Sequence, residues 1–490
     1  MKRWLLSAVL TLLLLTAATV SAAAVTNDTV KVGLYYSSSA LSSVNAEYDD
    51  TTANAFTYGY YTAQRRLIGL GSLNEDFLTV TADEEKVRAA SRNSAYIICT
   101  SAGIYDGEGE LPSFGDTALG VLNREGELLL VFDYEGLYSL ALKAESLGSA
   151  DAETWCKGCK YYGGFVYERA VGGAISVYNM VDIEDYVRCV LPYEMSNDWP
   201  SEALKAQAVC ARTYAYAGRH TGFDVCGSTH CQSYRGIDAR GHDNTDAAAA
   251  ATSGECMYYD GDYAIGYYYS CNGGASESAK NVWGSDVGYL IGKTDPYEAW
   301  IASSVSGYSY TVSYTAAALT SRLQSKGYSI GTVKDMYVSA TSPTGNVLAV
   351  TVTDTAGKSI TLKQEKCRTV LGANSQRFTV NGETAGINLN VNGTTSLSGM
   401  EGVSVISGSG TVTSLSDAAE IYVMTGSGKE KLGTAFSASD SSDRSGDFII
   451  SGTGSGHNVG MSQWGAYAMA KQGYTYTDIL TFYYTDITIG

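Results

Sequence analysis

From residue 29 to about 150 the apolar positions fall in short blocks: Val30-Lys-Val-Gly-Leu-Tyr-Tyr36, Tyr96-Ile-Ile-Cys99 and Leu128-Leu-Leu-Val-Phe132, with Gly and Asp turns between them. Blocks of that length and period predict β-strands. One helical pattern, Asp83–Ser91, interrupts them. Phe165–Val181 continues as two strands around a Gly172-Gly173 turn. Then the period changes. Asp182 is placed to cap a helix through Ile183, Tyr186, Val187 and Val190, which Pro192 is expected to end. A second helix opens at Pro200 and runs from Glu202 to Ala217, where Gly218 stops it. Ala247–Ala251 is a further helical patch. Beyond Ser304 strands return, with helices expected at Thr315–Lys326 and at Ser462–Gln472, the latter ended by Gly473. The pattern predicts an α+β fold: a β-rich core, a few helices around a cleft, and a β-rich insertion.

Three divisions follow from the pattern. Residues 29–150 form an N-terminal β-rich part, 151–382 a part in which helices gather, and 383–447 a Gly/Ser/Thr-rich insertion. The helical pattern resumes over 448–490. A length of 490 residues suits two or three domains at roughly 150 residues each, or one enlarged core. The first 24 residues read as a secretory signal: two charges in Met1–Arg3, an apolar Trp4–Leu15, and small residues from Ala17 to Ala24. An uncleaved anchor is the alternative, because no charge separates Arg3 from Asp28. Both place the rest of the chain outside the cytoplasm, secreted or at the cell wall, with membrane contact only if the segment stays.

Charge narrows the partners. Lys and Arg number 33 against 51 Asp and Glu, a net −18, which repels phosphate backbones and argues against nucleic acid. Ten cysteines, an even number in an exported chain, suggest disulfides. Cys156-Lys-Gly-Cys159 is a lone CxxC with no helix after it to activate a thiol, so it reads as a structural pair or free thiols.

Four constellations carry candidate chemistry. Glu194 lies in the link between two helices, beside Pro192, Tyr193, Met195 and Trp199. Such neighbours would desolvate its carboxyl and raise its pKa, as a general acid for glycosidic cleavage needs; a helix-end Glu exposed to water has the same local sequence. Gln207 and Arg212 share the next helix with small residues and could project towards that link. Cys226-Gly-Ser-Thr-His-Cys231-Gln-Ser-Tyr234 places Cys226, His230 and Cys231 within six residues, the donor types of a zinc site, with His220 as a candidate fourth ligand. A Cys226–Cys231 disulfide with a bystander His is the alternative. Tyr267-Tyr-Tyr-Ser270-Cys-Asn-Gly273-Gly274 is a strand entering a turn where backbone can approach a ligand, with aromatics suited to sugar rings. Gly452-Thr-Gly-Ser-Gly-His457 opens a Gly-rich loop without the Lys-Ser/Thr ending of a phosphate loop.

Together and in order, these segments resemble the stage II sporulation protein D family. The resemblance rests on VDIEDYVRCVLPYEMSNDWPSEALKAQAVCARTYAY (181–216), CGSTHCQSY (226–234), SCNGGASESAKNVWGSDVGYL (270–290), DPYE (295–298), RTVLGANSQRF (368–378) and GHNVGMSQWGAYAMAKQGYTYTDILTFYY (456–484). It implies a peptidoglycan lytic transglycosylase whose catalytic core is 151–382 with 448–490. Glu194 would be its acid and base, and the muramyl 6-hydroxyl would close a 1,6-anhydro ring in place of water. It further implies substrate contacts from Gln207, Arg212, Gln232, Tyr234, Ser270, Gly273, Gly274, His457, Ser462 and Gln463. Zinc on Cys226, His230 and Cys231 is implied too. Some relatives instead resemble non-catalytic wall-binding modifiers that stimulate an amidase. The chain departs from the family at Gly452-Thr-Gly-Ser-Gly-His-Asn458, where the usual run is Gly-Arg-Gly-Trp-Gly-His-Gly; a cation and a stacking ring are missing.

Overall fold

The computed structural model describes residues 28–148, 151–170, 172–237, 242–382 and 447–490, together with the backbone of six short strands between 387 and 431. The expected N-terminal signal lies outside the described residues, as does most of the 383–447 insertion. The fold is α+β. A seven-stranded sheet runs in the order Val225–Cys226, Thr29–Tyr35, Ile175–Asp182, Gly164–Arg169, Leu140–Ser146, Ala53–Tyr61, Leu67–Leu73. An eight-stranded sheet runs Cys159–Tyr161, Thr154–Cys156, Ser43–Tyr48, Phe77–Thr81, Leu119–Leu122, Leu128–Asp133, Ala95–Thr100, Gly103–Glu108. Strands from both sides of position 150 share each sheet.

Alternation sets the core. Leu140, Leu142 and Ala144 point into the main apolar cluster with Phe56, Phe165, Tyr167 and Val177, whereas Ala141 points to the opposite face beside Val166, Tyr178 and Met180. Val44, Val80, Val121 and Leu130 of the second sheet enter the same main cluster, so one core joins both sheets. The helices pack on it: Val187, Val190 and Leu191 of Ile183–Glu194, and Leu204, Ala208 and Ala211 of Ser201–Ala217, are all buried there.

Helix boundaries follow the sequence closely, with one correction. Asp182 accepts the Glu184 N–H at 2.8 Å as expected of a cap, and Gly218 closes the second helix at φ +61°. The first helix, however, runs through Pro192 to Glu194. A proline near a helix end forfeits one backbone donor without a following turn to disrupt. Shorter helices at Ala279–Trp283, Pro296–Ile301 and Tyr476–Tyr483 were not anticipated.

A second apolar cluster gathers Leu319, Leu323, Met336, Val350, Leu362 and Phe378 with Phe448 and Ile450. Phe378–Val380 pairs antiparallel with Phe448–Thr453, so the ends of the insertion lie side by side: Asn381 N–H donates to the Ile449 carbonyl at 2.7 Å. All ten cysteines are free thiols, which corrects the expected disulfides. Cys156 and Cys159 do face each other across a hairpin, but burial pushes the Cys156 thiol up to about 12, so it stays protonated near neutrality.

Candidate active site

A cleft of about 740 Å³ opens where the ends of both long helices meet the C-terminal loop. Glu194, the last residue of the Ile183–Glu194 helix, is half-buried in its wall. Its Oε1 accepts the Ser233 N–H at 2.7 Å, and its backbone carbonyl accepts Nε2–H of Gln463 at 3.1 Å. The other carboxylate lining the cleft, Glu365, is tied to Arg368 at 2.5 Å. Among the described lining residues, Glu194 is therefore the carboxyl without an ion-pair partner.

Aromatic rings form much of the wall. Tyr214, Tyr267, Tyr268, Tyr269 and Trp283 line it, offering faces of the kind that stack on sugar rings. Tyr268–Tyr269 is a strand paired in parallel with Met461–Ser462, which brings the C-terminal block into the site. His457 sits among Tyr267, Tyr269 and Trp283, with ring centroids 5.2–6.4 Å away. Burial, then the Arg368 charge, push its imidazole down to about 4, so it is neutral at pH 7. Its Nδ1 accepts the Val459 N–H at 3.1 Å, which puts the ring proton on Nε2.

The four candidate metal ligands converge. One donor atom each from His220, Cys226, His230 and Cys231 lies within 4.8 Å of every other. The separations are 3.2 Å from His220 Nε2 to Cys231 Sγ, 3.7 Å from Cys226 Sγ to His230 Nδ1, and 3.5 Å from Cys231 Sγ to His230 Nδ1. Ordinary Zn–S and Zn–N bonds at tetrahedral angles give N···S edges of ~3.5 Å. The donor set and its spacing fit a closed S₂N₂ site. Hydrogen bonding from the Cys231 thiol, then from Ser228, holds Cys226 well below the usual thiol range, the state a metal ligand needs.

The remaining predicted residues divide. Ser270, His457 and Gln463 line the cleft, with His230 and Cys231 of the Cys/His cluster. Gln232 is 1% exposed and lies behind it, accepting the Tyr268 hydroxyl at 3.1 Å and donating to Tyr186 and the Ala211 carbonyl. Tyr234 is buried on Tyr186 and donates to Asn179. Arg212 is fully buried in a bidentate pair with Glu184, at 2.9 and 2.6 Å, and donates to the Glu255 and Ala249 carbonyls. It staples the helices together away from the cleft. Gln207 is also fully buried, and its amide has no hydrogen-bond partner among the described residues.

Gly273 and Gly274 make the close approach expected of them, but to protein. A Cβ on Gly273, at φ +70°, would lie 2.6 Å from the Thr453 backbone. Ser462 is buried and caps the Gln463–Lys471 helix by accepting the Gly465 N–H at 3.0 Å. The substituted Gly-rich loop shows why it still folds: Asn458 takes φ +64°, a left-handed conformation that Asn tolerates, and donates to the Asn272 carbonyl at 3.1 Å.

Two cleft residues were missed as site candidates. Arg219, exposed, is the sole Lys or Arg among the described lining residues and lies over the rings of Tyr214 and Tyr267, 5.8 and 5.3 Å from their centroids. The other is Trp283, which packs against His457 and lines the cleft with Ser455, the position of the absent family Trp. Nothing in the local pattern marks Arg219, which follows a helix end and enters the cleft only through the fold.

Comparison with known proteins adds a family. A model of the stage II sporulation protein family, SpoIID, matches residues 171–259, the stretch that contains Glu194 and the whole Cys/His cluster. An uncharacterized protein of Brachyspira hyodysenteriae is 30% identical over 383 residues, 76% of this chain and 82% of its own. The amidase enhancer of Bacillus subtilis is 32% identical over 61% of this chain, which spans only 39% of that relative. The stage II sporulation protein D of the same organism is 25% identical over 63% of this chain and 75% of its own length.

Proposed function

The chain belongs to the stage II sporulation protein D family, and on that premise we propose that it is a lytic transglycosylase of peptidoglycan. One observation carries the reading. Among its described lining residues the aromatic cleft presents one carboxyl free of ion pairs, Glu194, positioned through both its side chain and its backbone. Glycosidases that use water need two cooperating carboxyl groups. A single one suffices where the nucleophile is an internal hydroxyl. Glu194 gives its proton to the bridging oxygen as the bond from C1 of the N-acetylmuramyl unit breaks. The resulting carboxylate then takes the proton of the muramyl 6-hydroxyl while O6 bonds to C1, closing the 1,6-anhydro ring and restoring the acid. Tyr267, Tyr268 and Trp283 would hold the sugar rings, and exclusion of water by those rings favours ring closure over hydrolysis.

Zinc belongs to the same proposal. Cys226, His230 and Cys231, completed by His220, would hold it. Filling all four positions, the ion would supply structural cross-linking. These residues themselves anchor the loop whose next residues, Gln232 and Ser233, support Tyr268 and Glu194. The amidase-enhancer relative favours one other reading, a wall-binding protein that stimulates a cell-wall amidase without cutting glycan. Export to the cell exterior is part of either reading. Product analysis separates the two: anhydro-muramyl ends from peptide-free glycan support the enzyme, and glycan binding without product supports the modifier.

A further inference from the structure

Glu298, in the DPYE segment, is fully buried and has no part in the chemistry above. It lies on the Pro296–Ile301 helix, which Asp295 caps by accepting the Tyr297 and Glu298 N–H groups. Its carboxylate accepts three donors. Oε1 takes the Gly273 N–H at 2.7 Å, and Oε2 takes the Asn272 N–H at 2.9 Å and the Ser462 hydroxyl. These donors come from two neighbouring segments, the continuation of Tyr268–Tyr269 and the Met461–Ser462 strand paired with it. Asn272 and Gly273 continue the strand that carries Ser270, whose carbonyl accepts the Trp464 N–H at 3.0 Å. Ser462 caps the helix whose first residue, Gln463, donates to the Glu194 carbonyl at 3.1 Å.

We propose that Glu298 is a positioning residue: its carboxylate clamps the Ser270–Gly273 turn to the start of the Gln463–Lys471 helix and so fixes Gln463 against Glu194. The catalytic consequence rests on the transglycosylase reading; the clamp itself does not. A carboxylate suits the task because it only accepts, and two oxygens can serve donors from both segments at once. An amide of the same shape has one acceptor oxygen and would turn an NH₂ group against one of the donors.

The clamp carries a cost in stability, which separates it from a residue kept for folding. Burial pushes the Glu298 carboxyl up to about 7, and the charge of Asp295 adds to this. Cys271, Tyr269, Tyr308, Tyr483 and Arg377 also face it. A carboxyl raised from 4.5 contributes stability that is full at low pH and lost as pH rises through about 7. Above that pH the ionised wild type carries a penalty that Glu298→Gln lacks.

The test compares wild type, Glu298→Gln and Ser462→Ala, the last cutting one arm of the clamp while leaving both backbone donors. For Glu298→Gln, kcat for anhydro-product formation should fall roughly 10–100-fold with KM near wild type, the scale of a small misplacement at the reacting centre. Its melting temperature relative to wild type should rise between pH 6 and 8.5. Amide exchange should quicken at residues 272–273 in both variants, more mildly in Ser462→Ala, and at 464–465 in Glu298→Gln, where the Ser462 cap on the Gly465 N–H is kept. Wild-type kcat in folded Glu298→Gln, or unchanged exchange at those amides, overturns the proposal. If wild type itself makes no anhydro product, the glycosidic reading falls, and the exchange measurement still decides the clamp.

Discussion

Glu194 and His457 share one cleft, and the fold holds them differently. Glu194 is half-buried and meets one backbone donor, so replacing it with Gln should leave the fold intact, within about 0.5 kcal/mol. His457 is held neutral by burial. Its imidazole lies low in the folded state, at about 4 against 6.5, so the unfolded chain binds the extra proton first. Stability should therefore be full above pH 6.5 and lost as pH falls towards 4, by on the order of 3 kcal/mol at most. Urea denaturation at pH 5 and pH 7.5 checks this: His457→Gln should flatten the difference between the two, and an equal difference in variant and wild type would contradict it. At this scale the sequence was informative about residue types and poor on orientation. Glu194 and His457 stood out through their neighbours, at a helix link and in a Gly-rich loop, whereas Ser270 and Gln463 were implied only by the family resemblance. Gln207 and Arg212 were misplaced because an Ala-rich helix looks the same whether its polar side chains face a cleft or another helix.

Elements decide what those residues can do. The Arg212–Glu184 pair joins the two long helices and adds the Glu255 and Ala249 carbonyls. Arg212→Ala strands buried acceptors, so a loss of about 3–5 kcal/mol is expected in chemical denaturation; a loss under 1 kcal/mol would show the staple to be dispensable. The His220–Cys231 loop makes a separate prediction. Purified protein should carry about one zinc per chain. Cys226→Ser combined with Cys231→Ser should lose it, with faster proteolysis near residues 220–233. Equal metal content in variant and wild type would remove these ligands from the account. The spacing of Cys226, His230 and Cys231 made the cluster legible, whereas His220 joins only because the backbone beside the Thr29–Tyr35 strand brings it back. Helix ends with Asp, Ser, Thr or Gly caps were read to within a residue or two. Pro296–Ile301 was missed: six residues give too little periodicity to see.

Across the whole molecule, two β-sheets and a second, smaller core frame a cleft assembled from segments more than 260 residues apart, Glu194 and Gln463 being the widest pair used here. No local window contains that cleft. Only the ordered set of motifs pointed to it. The insertion is separable on this geometry. Its flanking strands already pair, Val380 opposite Ile450, so replacing 383–447 with a two-residue Asn-Gly turn keeps that register, with 382 opposite 448. That variant should fold with a similar melting temperature and the same glycan product; failure to bind glycan would assign the insertion a part in recognition. The net charge of −18 makes Arg219, the one cation among the described lining residues, stand out and leaves the surface as a whole uninformative about partners. The most direct test of the central claim is digestion of purified, peptide-free glycan strands, with products weighed by mass spectrometry. Wild type should yield 1,6-anhydro-muramyl ends, and Glu194→Gln, folded and glycan-binding, should yield none; reducing ends from wild type, or anhydro ends from the variant, would contradict the account.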